Sequence, residues 1–306
     1  MNIRFKFLRY RRLAFAASGA LLVASVLLFS LMGLNYGIDF RGGVMIDIGT
    51  KGPADIGALR SQIGSLGLGD VQIQRFGEPD NVLIRVEEQT AQGETAEDSA
   101  ADLDVVTQIR ELLGEEVEYR RVEVVGPKVS GELIQSGTLA ILGAMVLVLV
   151  YIWFRFEWQF SIGAILALVH DVVVTIGVFS FLRLEFNLSI IAAILTIVGY
   201  SLNDTVVIYD RVRENLRKYK KMPLEELLDL SVNQTLSRTL ITSVTTLLAL
   251  ASLYIFGGEV IRGFVFAMIW GVFVGTYSSV FIAAPLLLRL GVKRDWSGLE
   301  NKAAKV

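Results

Sequence analysis

The 306-residue sequence contains no cysteine and only one histidine. Disulfides and thiolate metal sites are therefore excluded, and a single imidazole cannot build a multi-histidine metal centre. Charge is also scarce, with 20% charged against 53% hydrophobic residues and a mean hydropathy of +0.54. This balance is too apolar for an ordinary soluble domain and predicts a polytopic α-helical membrane protein.

Six apolar runs are each long enough, at about 20 residues, to cross a bilayer as helices. The first, Leu13–Leu34, follows a basic N-terminus of residues 1–12. We interpret it as a retained transmembrane helix, because signal-peptide apolar cores are shorter and no small-residue cleavage site clearly follows. The other five spans, within residues 134–290, are predicted at Gln135–Phe154, Gln159–Leu182, Asn187–Ile208, Thr239–Phe256 and Gly263–Leu290.

The charges divide unevenly along the chain. Residues 35–133 carry 19 acidic and 9 basic side chains, whereas the remainder has a net charge of +8. Basic residues concentrate in the loop 209–238 and the tail 291–306. The positive-inside rule then predicts that both termini and this loop are cytoplasmic and that the acidic segment lies outside, which is the periplasm if the cell is Gram-negative. Within the loop, Pro223–Leu236 is predicted to be an amphipathic helix lying on the membrane surface.

The acidic segment 35–133 has the pattern of a small, independently folded α/β domain. Apolar residues alternate in four runs, as in strands, and recur at three- and four-residue steps in two runs, as in helices. The predicted order is β-α-β-β-α-β, a ferredoxin-like arrangement. The six elements are Gly43–Gly49, Pro53–Leu66, Asp70–Phe76, Asn81–Val86, Ala100–Leu113 and Val117–Val125. The stretch Gln89–Ser99 is poor in apolar residues and is predicted to be a loop.

Few charged residues lie inside the predicted spans. Asp204, beside Asn203, lies in the fourth run; Asp171, beside His170, lies in the middle of the third; Arg238 begins the fifth. A carboxylate in a bilayer costs several kcal/mol unless it is paired, neutralised or hydrated. These residues are therefore the first candidates for a functional site.

The fourth run also carries a polar stripe at three-, four- and seven-residue spacing, with Asp204 at its edge. Its members are Thr196, Gly199, Tyr200, Asn203 and Asp210. Residues at this spacing share one face of a helix, and a polar face is expected to contact other helices rather than lipid. Asp210 and the charged residues 211–214 are interpreted as an interfacial helix end.

Two hypotheses compete for Asp204. It could be a paired or hydrogen-bonded carboxylate that only holds helices together, or it could carry a proton. Burial favours the neutral form of a carboxylate, and an approaching Arg favours the charged form. A pair between Asp204 and Arg238 whose distance changes between two conformations would therefore bind and release a proton. The sequence favours this second hypothesis, because intramembrane carboxylates are usually functional.

Two interpretations also remain open for Asp171 and His170. The pair could hydrogen-bond to the fourth helix as part of the packing, or it could form a step in the same proton path. Adjacent helical residues point about 100° apart, so the two side chains need not contact each other.

Two glycine-containing motifs connect the acidic domain to the membrane spans. The first includes Gly37, Asp39, Arg41, Gly42 and Gly43, and the second includes Gly126 and Pro127. Glycine permits sharp turns and close packing, so both are interpreted as rigid connectors. The first motif does not predict a phosphate-binding loop, because it lacks Gly-Lys-Ser/Thr and a following helix.

Together these motifs resemble the SecF family of bacterial membrane proteins. The resemblance covers about residues 1–294, and the tail after Trp296 matches no pattern. The motifs that carry it are Gly-Ile-Asp-Phe-Arg-Gly-Gly at 37–43, Val-Gly-Pro-Lys-Val at 125–129, Leu-Val-His-Asp-Val at 168–172, the element that begins Gly-Tyr-Ser-Leu-Asn-Asp at 199–215 and Gln-Thr-Leu-Ser-Arg-Thr-Leu-Ile-Thr-Ser at 234–243.

The resemblance implies a six-span half of the resistance-nodulation-division architecture, with SecD supplying the other half. It implies action beside the Sec channel on an unfolded secretory polypeptide at the periplasmic side, driven by protons and without another cofactor. Asp204, Arg238 and Asn203 would form the proton relay, with support from His170, Asp171 and Tyr200. The expected partners are SecD, the Sec channel complex, the client polypeptide and membrane lipids, but no nucleic acid.

Other classes of function fit the sequence less well. A self-contained exporter of small molecules or lipids from the same superfamily usually has two six-span halves, whereas this chain has one. An intramembrane enzyme would need a metal triad, a catalytic Cys or a Ser–Lys pair, and the spans offer none. A purely structural scaffold would leave Asp204 unexplained except as a packing contact.

Overall fold

The structure is a computed structural model that describes residues 5–68, 71–75, 77–86, 98–114 and 117–292. Two units form: a membrane unit of Met1–Leu34, Ala140–Leu184 and Ser189–Val306, and an α/β unit of Asn35–Leu139 and Glu185–Leu188. The predicted loop 89–99, up to residue 97, and the predicted tail, from residue 293, lie outside the described residues.

The elements alternate between long helices and one α/β segment. In chain order they are a 3-10 helix (Phe7–Tyr10), α1 (Arg11–Met32), β1 (Asn35–Tyr36), α2 (Ile38–Arg41), β2 (Gly43–Thr50), α3 (Ile56–Gly64), β3 (Val71–Arg75), β4 (Asn81–Val86), α4 (Asp98–Leu113), β5 (Val117–Val125), α5 (Pro127–Arg155), α6 (Trp158–Leu182), β6 (Glu185–Phe186), α7 (Leu188–Lys218), α8 (Leu224–Phe256), α9 (Glu259–Ser278), a π-helical turn (Ser279–Ala283) and α10 (Ala284–Arg289).

Six helices of the described chain are long and apolar enough to cross a membrane, which confirms the prediction of six spans. They are Phe7–Met32, Val129–Arg155, Trp158–Leu182, Leu188–Lys218, Leu224–Phe256 and Val260–Arg289. The third, fourth and sixth of them are half buried or more, whereas the first, second and fifth are mostly exposed. The interior of the membrane unit is therefore built from α6, α7 and the last helix.

The region between the fourth and fifth spans differs from the prediction. The segment 209–238, predicted to be a loop, is helical except for residues 219–223, because α7 runs on to Lys218 and α8 begins at Leu224. The helix predicted at Pro223–Leu236 is present from Leu224, but it is the first part of α8 rather than a separate helix, because the 33 residues of α8 contain no Gly or Pro to end it. Protein packing, rather than the membrane surface, covers the apolar face of this region.

That packing joins the C-terminal part of α7 to the N-terminal part of α8. Leu227, Leu228 and Val232 of α8 are fully buried in one hydrophobic cluster that also contains Val212 and Leu216 of α7. An apolar face of this kind is stabilised by burial at about 25 cal/mol per Å². The two helices therefore extend beyond the hydrocarbon core, since 33 residues span about 50 Å and the core about 30 Å.

The last span is interrupted rather than continuous. A π-helical turn at Ser279–Ala283 separates α9 from α10 and accommodates one extra residue in a widened turn. Pro285 follows in the first turn of α10 and cannot donate a backbone hydrogen bond to the preceding ladder. The sequence predicted a single helix here because apolar periodicity does not register one extra residue.

The α/β unit contains the predicted ferredoxin-like element order. Its sheet has the strand order β3-β4-β2-β5 with antiparallel neighbours, and α3 and α4 complete the β-α-β-β-α-β sequence. Alternate residues of β2, namely Val44, Ile46 and Ile48, are buried in one core with Ile63 and Ile109 of the helices. This confirms the period-two pattern predicted for the first strand of the domain.

Candidate functional site

Asp204 lies on the buried face of α7 and is 3% exposed. The hydroxyl of Thr239, on α8, donates a long hydrogen bond of 3.5 Å to its Oδ1 atom. Its Oδ2 atom has no hydrogen-bond partner in the described part of the chain. A buried carboxylate with a single long hydrogen bond is costly as an anion, so this site favours binding of a proton or of another donor.

Arg238 does not form the predicted ion pair with Asp204. Its side chain is exposed, and no ion pair joins it to Asp204 within the described ranges. Consecutive residues of an α-helix point about 100° apart, so α8 presents Thr239 to the carboxylate and directs Arg238 away. Arg238 nevertheless lies near enough to act on Asp204 electrostatically.

The polar stripe of α7 is not covered by the described helices of this chain. Thr196, Gly199 and Asn203 are exposed, and Tyr200 is half-buried with its hydroxyl 3.4 Å from Oγ1 of Thr246. Within the described residues, the expectation that this stripe contacts other helices is met for Tyr200 and for Asp210, which pairs with Arg155 of α5, but not for the exposed members. Asn203 points away from Asp204 because the two are adjacent on one helix.

Asp171 lies in a fully buried polar cluster. Its Oδ2 atom accepts hydrogen bonds from the hydroxyls of Ser201 on α7 and Ser278 on α9, both at 2.7 Å. Its Oδ1 atom lies 3.0 Å from Nδ1 of His170, whose Nε2 atom has no hydrogen-bond partner among the described residues. Asp171 thus hydrogen-bonds to α7, the fourth spanning helix, as the packing interpretation of this residue predicts.

The serine and threonine partners were missed by the sequence reasoning. The spacing of Ser201 could have marked it as part of the site, because it lies three residues before Asp204 and so shares a helix face with it. Thr239 and Ser278 carried none, because only the fold brings their helices to the two carboxylates.

The first connector motif, residues 37–43, packs beside a short strand pair within the α/β unit. The strand β1, residues 35–36, comes directly before it and pairs in parallel with β6, and the Gly37 amide donates to the carbonyl of Phe186 at 2.8 Å. Asp39 accepts a 2.8 Å hydrogen bond from the amide of Leu188, the first residue of α7. A carboxylate at this position satisfies a free amide and complements the helix dipole.

Different structural constraints require glycine at the three glycine positions of the first connector motif. A Cβ atom on Gly37 would lie 2.8 Å from Oε1 of Glu185, so the close strand pairing leaves no room for a side chain. Gly42 and Gly43 have φ values of 74° and 100°, which favour glycine. Arg41 is exposed, Gly126 follows β5, and α5 begins at Pro127.

Glu185 forms a buried ion pair within the α/β unit. Arg85, on β4, forms an ion pair with Glu185, and both side chains are largely buried. Burial raises the pKa of the Glu185 carboxyl above its ordinary value, and the positive charge of Arg85 opposes that effect only in part. The negative charges of Asp39 and Glu123 also raise this pKa, whereas Arg121 lowers it.

Comparisons with known proteins match this architecture along nearly the whole chain. The family model for protein export membrane protein SecD/SecF, C-terminal, matches residues 105–293, and the model for the SecD/SecF GG motif matches residues 28–54. The protein translocase subunit SecF of Rhodobacter capsulatus is 47% identical over 301 residues, covering 95% of this chain and 90% of that protein. The subunit of the same name from Vibrio alginolyticus is 44% identical over 290 residues, covering 94% and 90%.

Solved structures agree with the sequence relatives. The crystal structure of SecDF, a translocon-associated membrane protein from Thermus thermophilus, matches with a TM-score of 0.84 at 34% identity. The match covers 94% of this chain but 39% of the Thermus thermophilus SecDF chain. SecDF in its super-membrane-facing form matches with a TM-score of 0.68 at 33% identity, covering 100% and 41%. This chain therefore spans about two fifths of those SecDF chains.

The helices, the α/β unit and the two family models define the class, which is the multi-pass membrane proteins of the SecD/SecF export type. Within that class, the length and identity of the shared alignments place the chain more narrowly. The chain belongs to the SecF family.

Proposed function

We propose that this chain acts with SecD in the Sec translocase and uses proton flow through its membrane unit to promote late steps of protein translocation. The names of its relatives, protein translocase subunit SecF, support the translocase context and a transport role rather than an enzymatic one. The Thermus thermophilus SecDF structure supports SecD as the partner. Protons are the coupling ion in this proposal, and no other cofactor is needed.

The observation that carries the proposal is the incomplete hydrogen bonding of Asp204. A carboxylate that is 3% exposed and has one free oxygen is stabilised by a proton. Arg238, one residue from the Thr239 contact, could replace that proton as the compensating charge if α8 rotated. Transfer of one charge across 100 mV supplies about 2.3 kcal/mol, which is enough to bias such a rotation.

The uncovered polar stripe of α7 supports a partner within the membrane. The exposed amide of Asn203 would otherwise face lipid, where unsatisfied polar groups are costly. A second six-helix half, as the proposal assigns to SecD, would cover this face and place Asn203 and Tyr200 beside a shared proton route. The α/β unit would then face the periplasm and handle the emerging secretory polypeptide, next to the Sec channel and the membrane lipids.

The orientation in the membrane follows from charge. Basic residues dominate residues 1–12 and residues 211–221, at the end of α7 and in the turn before α8, and the acidic residues concentrate in the α/β unit. The positive-inside rule supports cytoplasmic termini in the bacterial inner membrane.

The test is the substitution Asp204→Asn, which keeps the shape of the side chain and removes its titratable proton. We expect proton-motive-force-dependent export of a slow reporter to fall to the level of cells that lack this subunit. The matched control is Asp210→Asn on the same helix, because Asp210 is half exposed and forms a 3.3 Å ion pair with Arg155. Equal membrane content and co-purification with SecD would show that both variants fold. Normal reporter export by D204N would overturn the proposal.

A further inference from the structure

Asp171 connects three helices of the membrane unit at one point. It belongs to α6, and its Oδ2 atom accepts from Ser201 of α7 and Ser278 of α9 at 2.7 Å each. Asp171, Ser201 and Ser278 are each at most 1% exposed. We call these three residues the hydroxyl clamp.

The backbones of α7 and α9 approach closely beside the clamp. A Cβ atom on Gly275 would lie 2.9 Å from Cβ of Ser201, and one on Gly271 would lie 2.2 Å from Cγ1 of Ile197. Two small residues one turn apart therefore let the helices touch without intervening side chains. Because α9 enters the π-helical turn directly after Ser278, the clamp also fixes the last regular turn of that helix.

The clamp sits one turn from Asp204. Ser201 precedes Asp204 by three residues, about 4.5 Å along the axis of α7, and both lie on its buried face. Asp204 itself has only the 3.5 Å contact to Thr239 across the gap to α8. Its position relative to α8 therefore depends on how firmly α7 is held, and the clamp is the strong hydrogen-bonded contact nearest to it on that helix.

We infer that Asp171 is a positioning residue that sets the place of Asp204, and that it does not itself carry the transported proton. A proton on Oδ2 would turn an acceptor of two hydroxyl groups into a donor, so at least one of the two serines would have to reverse from donor to acceptor. The titratable groups that face Asp171 are His170 on its own helix and, beyond the imidazole, Tyr277 of α9, whose ring centroid is 6.2 Å from that of His170. No Lys or Arg forms an ion pair with Asp171 in the ranges described. The inference rests on the proposed function, since it requires Asp204 to be the proton carrier.

The experiment compares substitutions that keep or remove the acceptor. In Asp171→Asn the amide oxygen can accept from both serines while the amide nitrogen turns toward Nδ1 of His170, so the clamp survives without a titratable proton. Asp171→Ala and the double substitution Ser201→Ala/Ser278→Ala remove the hydroxyl clamp. The matched control is Ser180→Ala, because Ser180 is fully buried on α6 and hydrogen-bonds to the carbonyls of Leu28 and Gly33, away from the clamp.

Two readouts are taken on the full chain with SecD. One is stimulation of reporter export, and the other is the pH dependence of labelling by dicyclohexylcarbodiimide, which reacts with protonated carboxyl groups in apolar surroundings, located by mass spectrometry. We expect D171N and S180A to keep export stimulation within about threefold of the parent, the scale of one weakened hydrogen bond. We expect D171A and the double serine variant to lose stimulation and to shift the pH profile of Asp204 labelling. The double serine variant gives the same information if D171A fails to accumulate.

Three results separate the possibilities. Loss of export in D171N equal to that in D204N, with Asp171 itself labelled in the parent, would overturn the inference and make Asp171 a proton carrier. An unchanged Asp204 profile in the double serine variant would also overturn it. Failure of Asp204 to label at any pH, together with normal export by D204N, would instead overturn the proposed function.

Discussion

The two units of this chain surround their buried carboxylates with different groups. In the α/β unit, Glu185 is paired with the guanidinium of Arg85. In the membrane unit, Asp204 and Asp171 are contacted by hydroxyl groups and one imidazole, and no ion pair with Lys or Arg reaches either of them in the described chain. The same side-chain chemistry is thus stabilised by a fixed charge in one unit and by neutral dipoles in the other.

The difference concerns which charge states each site accepts. An Arg guanidinium is always charged and only donates hydrogen bonds, so it stabilises a carboxylate as the anion. A hydroxyl both donates and accepts, so it can pair with a carboxylate or with a carboxylic acid. The pairing in the α/β unit therefore suits a fixed structural contact, whereas the single hydroxyl at Asp204 suits a group that gains and loses a proton.

The largest effect should follow from breaking the fixed pair. Arg85→Ala leaves Glu185 as an uncompensated buried charge, and we expect the α/β unit to lose about 3 kcal/mol of unfolding free energy at neutral pH. Hydrogen exchange of the β2 and β4 amides in the full-length protein would measure the loss.

The matched control for that change is the double substitution Arg85→Ala/Glu185→Gln. It removes both charges, so it should recover most of the lost protection. If the double variant is as unstable as R85A, the ion pair is not what stabilises the α/β unit.

A smaller effect should follow from removing the hydroxyl at the membrane carboxylate. Thr239→Val keeps the shape of the side chain but leaves Asp204 without a hydrogen-bond partner, and one bond of this length is worth about 1 kcal/mol. We expect export stimulation to fall roughly fivefold. The neighbouring substitution Thr242→Val serves as the control, since Thr242 bonds only to carbonyls of its own helix. Equal export by both variants would remove Thr239 from the site.

The smallest effect concerns the pH dependence of the α/β unit. Burial raises the pKa of Glu185, and it also raises that of Asp47, where Arg120 and Arg121 act in the opposite direction. The folded state then binds more protons than the unfolded state between the ordinary and the raised values. The contribution of these groups to stability is therefore full below the ordinary values and is lost as the pH rises through the raised ones.

The measurement compares the parent with Asp47→Asn/Glu185→Gln at several pH values. Protection of the sheet amides in the parent, relative to this variant, should increase as the pH falls from neutral toward about 4.5, the ordinary value for Glu. A ratio that stays constant or falls over this range would show that the two carboxyl groups do not bind protons more tightly in the folded state.

Periodicity alone predicted most of the fold. The six spans and the β-α-β-β-α-β order followed from apolar runs and period-two alternation, and Val44, Ile46 and Ile48 do share one core, although the residues between them are buried as well. The extension of α7 and α8 was not foreseen, because their charged residues resemble those of a loop. Such residues remain helical here because an apolar stripe through Leu216 and Leu227 packs between the two helices.

The candidate site was predictable only in part. Asp204 and Asp171 stood out because carboxylates are rare in apolar runs. The partner residues depended on rotation about each helix axis, and a difference of one residue, about 100°, exchanges Arg238 for Thr239. The strand pair β1–β6 was also unforeseen, because two short segments about 150 residues apart carry no shared pattern.

The π-helical turn at Ser279–Ala283 makes the last helix tolerant of a change in length at one place. Its widened turn absorbs one residue, so deletion of a residue there would restore a regular α-helix while leaving Leu287 directed into the core. Deletion of a residue elsewhere in α9 would rotate everything beyond it by about 100° and turn that face outward. Relatives whose last helix is one residue shorter should therefore carry their alignment gap in this turn, and chimaeras between such proteins are best joined on either side of it.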